Sequence, residues 1–163
     1  MCDHCGCHAF PAIAALTTQH EQIQDTAGLL RHAIRRGDHH QARRLLAELT
    51  DQLTPHVAAE EQGLFAELRH DETIRATVEE LCSEHAQLHA ALRPPSSSGQ
   101  PNWQPVLAAL DQLRDHIDKE EYGVFPAAVI LLPIAAWDRI SPREVGTRGD
   151  VPRSRVGPGD GGA

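Results

Sequence analysis

The chain has 163 residues, enough for one domain with a substantial core. Hydrophobic residues make up 40% of it but aromatics only 4%; Leu and Ala predominate and strand-forming runs are scarce, so helices are expected. A net charge of −8 argues against nucleic acid or an anionic membrane as the main partner.

In chain order, the first candidate feature is a Cys/His-rich segment over residues 1–11. Cys2, Cys5 and Cys7, flanked by His4 and His8, supply ligands enough for zinc or an exposed iron–sulfur centre. So short a segment cannot enclose a cluster by itself, and a flexible, reducible thiol head is the alternative. These cysteines cannot staple a fold, and no basic stretch leads into an apolar one as in a secretory signal. Reduced thiols in the cytoplasm are therefore expected.

The first helix is read from Ala12 to Arg36, with the stripe Ile13, Leu16, His20, Ile23, Ala27, Leu30 and Ile34. Gly37 is a helix stop, and Asp38 with Gln41 resembles a capping box. The second segment runs from His39 to Arg69 and carries Leu46, Leu49, Leu53, His56, Glu60 and Leu64 on one face. Pro55 predicts either a kink or a restart with Thr54 as cap. A third helix spans Asp71 to Leu92, with Ile74, Val78, Leu81, His85 and Leu88 in its stripe. Pro94 to Pro101 reads as a linker, and a fourth helix, Trp103 to Val124, aligns Leu113, His116 and Glu120. A short apolar segment, Pro126 to Ile140, completes a domain over 12–140. Residues 141–163, rich in Gly, Pro and Arg, are expected to be a disordered tail. The longest apolar run, Ala127 to Trp137, is broken by Pro133 and too short to span a bilayer. The fold expected is all-α, an up-down antiparallel four-helix bundle with a short C-terminal helical extension.

Two stretches repeat. His56-Val-Ala-Ala-Glu60-Glu61-Gln-Gly63-Leu-Phe65 matches His116-Ile-Asp-Lys-Glu120-Glu121-Tyr-Gly123-Val-Phe125, and His20-Glu-Gln-Ile23 is echoed by His85-Ala-Gln-Leu88. Residues four apart on a helix differ by about 40° in azimuth and about 6 Å along the axis, so each His–Glu pair can reach one centre or two adjacent ones. Each of the four helices thus carries an ionisable residue in its core stripe. Unpaired buried carboxylates would cost several kcal/mol each, which a marginally stable domain cannot absorb repeatedly. A bound dication removes that cost. Imidazole with carboxylate suits iron, manganese or zinc, and two carboxylates able to bridge suit a dinuclear centre between helices. His89, four after His85, adds a further imidazole. His32, His39, His40 and His70 fall off the pattern and are read as surface residues, and Cys82 as an ordinary buried small residue.

These motifs resemble the hemerythrin-like family, the HHE cation-binding domain, over about residues 12–130. The family pattern is a histidine on the first helix, His-x-x-x-Glu on the second, His-x-x-x-His on the third, and a histidine followed by a carboxylate on the fourth. Here it falls on His20, His56, Glu60, His85, His89, His116 and Glu120. The family's oxygen carriers place Asp five after the last histidine. Here that position is Glu121, a weaker ligand candidate than Glu120, as is Glu61.

The resemblance implies two iron ions bridged by Glu60, Glu120 and an oxo or hydroxo group, one six- and one five-coordinate. The open position would take dioxygen, nitric oxide or peroxide. Leu88, Leu113 and Ile117 are expected to wall the pocket. Tyr122 stands open between an approach to the irons and the surface. The leading expectation is a protein that binds or senses such a small ligand. The alternatives are a diiron enzyme or repair protein, acting on iron–sulfur clusters, nitric oxide or peroxide, and an iron-storage protein. A protein partner is not legible.

Overall fold

A computed structural model describes residues 9–96 and 101–140. The Cys2, Cys5, Cys7, His4 and His8 head and the 141–163 tail lie outside the described residues, as do positions 97–100 of the linker.

Helix α1 (Pro11–Arg35) opens on Pro11, whose fixed φ and missing N–H suit a first turn. It closes at Gly37, φ +73°, where the Gly37 and Asp38 amides donate to Ile34 and Ala33. A side chain there would be strained, which is why glycine ends the helix. Asp38 then accepts from the Gln41 amide at 3.0 Å and caps α2 (His39–Ala59). The reciprocal arm of the expected capping box is not made: the Gln41 side chain accepts from Arg44.

The restart allowed at Pro55 does not occur. Helix α2 continues through it, and Thr54 returns its hydroxyl to the Thr50 carbonyl rather than capping a new helix. At Glu60–Leu64 the backbone widens into a π turn, with the Phe65 amide bonded to the Glu60 carbonyl, five residues back. Helix α3 (Phe65–Leu68) follows. The next helix starts later than the periodicity suggested: α4 spans Arg75–Ala91, because the Asp71 carboxylate takes the Thr73 amide and hydroxyl into a local turn.

Helix α5 (Gln104–Lys119) leads into a second π turn, Glu120–Val124, again with the residue-125 amide on the residue-120 carbonyl. The helical run does not stop at Val124 as expected but continues as α6 (Phe125–Leu131). Pro133 interrupts it before α7 (Ile134–Arg139), whose Arg139 forks onto the Glu67 carboxylate at 2.7 and 2.8 Å. No strand occurs among the described residues, and none of their helices is long and apolar enough to cross a membrane.

The runs pack as a helical bundle around two apolar clusters. One contains Ile23, Leu30, Leu46, Leu49, Leu53 and Leu113; the other Leu16, Leu64, Phe65, Leu81, Val124 and Phe125. Along α1, α2 and α4 the histidine falls where one cluster gives way to the other, and along α5 and the π turn that follows it Glu120 does so, between Ile117 and Val124. His20 lies between Leu16 and Ile23, His56 between Leu53 and Leu64, and His85 between Leu81 and Leu88. The bundle interior is therefore apolar at both ends and polar at one level between them.

Two burial expectations are corrected, His39 at the surface and Cys82 in the core. His39 is half-buried: its Nδ1 accepts from Trp103 Nε1 at 3.0 Å and the two rings stack, which ties the start of α2 to the start of α5. Cys82 is only part-buried, and its sulfur accepts from Arg69 at 2.9 Å. His32, His40 and His70 are exposed, and so is Tyr122.

Candidate metal centre

Six of the sequence-predicted residues meet at the polar level. His20, His56, His85 and His116 are 1–4% exposed, and Glu60 and Glu120 are fully buried. Two groups form. His20, His56, Glu60 and Glu120 make one, and His85, His116 and Glu120 the other, with the donor atoms of each within 4.8 Å of one another.

Each carboxylate divides its oxygens between the groups. Glu60 turns Oε1 to His56 (3.4 Å) and His20 (3.5 Å) and Oε2 to His85 (3.4 Å). Glu120 turns Oε2 to His20 (3.2 Å) and Oε1 to His116 (3.1 Å) and His85 (3.8 Å). This is the arrangement in which a carboxylate spans two adjacent centres.

None of these approaches is a hydrogen bond. Nε2 of His20, His85 and His116 and all four oxygens of Glu60 and Glu120 are buried without a hydrogen-bond partner. Leaving a buried polar group unsatisfied costs about 1–3 kcal/mol, and more if it is charged. Apart from the histidine–glutamate approaches of 3.1–3.8 Å just given, these seven atoms have no partner. Nitrogen and carboxylate donors converging on shared points fit a cation and fit little else.

The outer nitrogens are fully engaged. Nδ1 of His20 meets Glu121 at 2.7 Å, that of His85 meets Glu61 at 2.9 Å, that of His116 meets Glu84 at 2.8 Å, and that of His56 meets Gln19 at 2.8 Å. A carboxylate only accepts, so Nδ1 carries the proton and Nε2 of the neutral ring is left to bind a cation. Phe125 stacks on the His20 ring at 5.6 Å and Phe65 on His85 at 5.9 Å, fixing both planes.

The π turns make this possible. In a regular helix Glu61 and Glu121 would lie about 140° from His56 and His116, off the site. The extra residue in the turn lets consecutive glutamates both serve it. Glu60 and Glu120 point into the centre, while Glu61 and Glu121 reach the histidine of a neighbouring helix. Recurrence of Glu61 with Glu121 and of Phe65 with Phe125 in the repeat was the signal for these roles. Gln19, Glu84 and Lys119 left no such signal.

His89 belongs to neither group. It is part-buried and lines a small cavity with His56, His85, His116, Leu53, Val57, Leu88, Leu113 and Ile117.

Without a cation the cluster behaves as ion pairs. Burial disfavours the charged form of His20, but Glu120, Glu121 and Glu60 outweigh it and hold its pKa up to about 11. Burial likewise opposes charge on His85, yet Glu120, Glu60 and Glu61 raise it to about 10. His116 is raised too, with Glu120 overcoming burial, whereas burial prevails at His56 and lowers it. Against burial, the surrounding histidines pull Glu60 below the usual carboxylate range and Glu120 well below it.

A family model for the hemerythrin HHE cation binding domain matches residues 12–128. No curated protein and no solved structure matches the chain. The matched span holds all six converging residues, and the donors buried there are those a cation requires. On the match and the site together, the chain belongs to the hemerythrin HHE cation-binding domain family.

Proposed function

We propose that the chain holds two iron ions and binds or senses a diatomic ligand, most simply dioxygen, with nitric oxide and peroxide as alternatives of similar size. His20 and His56 would hold one ion and His85, His89 and His116 the other, with Glu60 and Glu120 shared between them. The up-and-down antiparallel bundle expected from the sequence would bring these four runs together, and the cytoplasm is the compartment proposed.

The observation that carries this reading is the cavity beside His56, His85 and His116. It offers about 10 Å³ to the centre of a water-sized molecule and is walled by Leu53, Leu88, Leu113 and Ile117. That is room for one water-sized guest, not for an organic substrate. When bound, iron supplies electrons that can be lent to such a guest and recovered. The chain's own part is to hold the histidines by their Nδ1 hydrogen bonds, keep the carboxylates ionised and exclude water with leucine and isoleucine.

The test is to load the full chain anaerobically with ferrous iron, confirm two equivalents by metal analysis, and cycle it between dioxygen and vacuum. A visible absorption that appears and disappears reversibly is expected. Irreversible oxidation to ferric protein on the first exposure would remove the reading.

A further inference from the structure

Gln19 and Glu84 occupy equivalent places in the two halves of the chain, each immediately before the first histidine of its half. They do the same job with different chemistry. The Gln19 amide oxygen accepts from Nδ1 of His56, whereas a Glu84 carboxylate oxygen accepts from Nδ1 of His116, both at 2.8 Å. The other Glu84 oxygen is held by Lys119, whose counterpart in the first half is Ala59.

We propose that Glu84 makes the His85–His116 half the tighter cation site, so that two cations load in order, that half first. This rests on the two-cation reading above. Behind each ring, an anionic acceptor draws the Nδ1 proton toward itself and leaves Nε2 more electron-rich, hence a stronger donor. A neutral amide does this less, because a hydrogen bond to an ionised acceptor is about twice as strong as a neutral one.

Of the three imidazoles assigned to the His85–His116 half, His85 and His116 are backed by carboxylates, Glu61 and Glu84. In the His20–His56 half only His20 is, through Glu121. Lys119 does not cancel the difference. Its ammonium is half-exposed and screened by solvent, while the Glu84 oxygen lies directly on the ring nitrogen. Lys119 instead pins the Glu84 carboxylate toward His116. Glu84 is thus a positioning and tuning residue that does not itself reach the cations.

The experiment titrates the full chain anaerobically with Co²⁺, follows visible absorption, and locates the first equivalent by anomalous scattering in crystals loaded one to one. Wild type should bind two equivalents in separate steps, the first between His85 and His116. Glu84→Gln should weaken that step by about 10–100-fold and spare the other, and Gln19→Glu should tighten the His20–His56 step. Both substitutions keep side-chain shape at part-exposed positions, leave His89 untouched, and are checked for folding by their melting curves. Two equivalents bound with the order reversed, or Glu84→Gln weakening both steps alike or neither, overturns the proposal and leaves the two-cation reading standing. A single equivalent in wild type overturns both.

Discussion

Glu121 Oε1 lies 2.7 Å from Nδ1 of His20, a residue 101 positions earlier in the chain. The matching contact of Glu61 with His85 is 2.9 Å long. Helix-to-helix carboxylate–imidazole bonds therefore close the centre in both directions. Replacing either glutamate by Gln keeps the shape and removes the charge. Cation affinity should fall by about 10–100-fold in each variant while the fold is kept. Competition with a chelator of known affinity measures the loss; wild-type affinity in both variants would show that these bonds are incidental.

Removing bound metal should destabilise the fold markedly. Ligand present at 1,000 times its dissociation constant adds about 4 kcal/mol, which for a domain of this size corresponds to roughly 10–20 °C in melting temperature. Melting curves recorded with and without excess chelator test this. In Glu60→Ala the difference should largely vanish, since each Glu60 oxygen faces a different group.

The metal-free protein should show a characteristic pH dependence. His20 and His85 are raised from 6.5 to about 11 and about 10, so their contribution is complete below pH 6.5 and is lost as pH climbs through those values. Glu60 and Glu120 are lowered from 4.5, so theirs is present above pH 4.5 and is lost as pH falls. His56, lowered from 6.5, adds to the acid-side loss because it resists the proton the unfolded chain accepts. Denaturant titrations of metal-free protein should thus show stability declining from about pH 6.5 toward 10–11 and again on acidification. Cation binding at neutral pH should release protons from His20 and His85, which calorimetry in buffers of different ionisation enthalpy would register. Binding without proton release would contradict the ion-paired resting state.

Leu113 is 2% exposed and walls the cavity. Truncation to Ala should cost about 2–5 kcal/mol and open the site to water. The iron-loaded variant should oxidise irreversibly faster than wild type in air, read as the rate of absorbance change. An unchanged rate alongside the expected loss of stability would show that Leu113 supports the core without guarding the site.

Much of this protein is legible in one dimension. Helix periodicity with period 3.6 places His20, His56, His85, His116, Glu60 and Glu120 inward, and the two repeats, one relating His56 and Glu60 to His116 and Glu120 and a shorter one relating His20 to His85, mark them as a set, because an α-helix converts spacing directly into facing. Gly37 and Asp38 are legible for the same reason, since caps are local. What periodicity could not show is where it is interrupted. The two π turns change the phase by a residue at Glu60 and Glu120, so the roles of Glu61 and Glu121 emerge only once neighbouring helices are in place. Pro55 was ambiguous because its local cost is outweighed by the packing of Leu53 and His56 on either side of it. The difference between Gln19 and Glu84 is visible in the sequence, but its meaning is tertiary. A hydrogen bond across helices depends on which ring stands opposite, and only the packed bundle decides that.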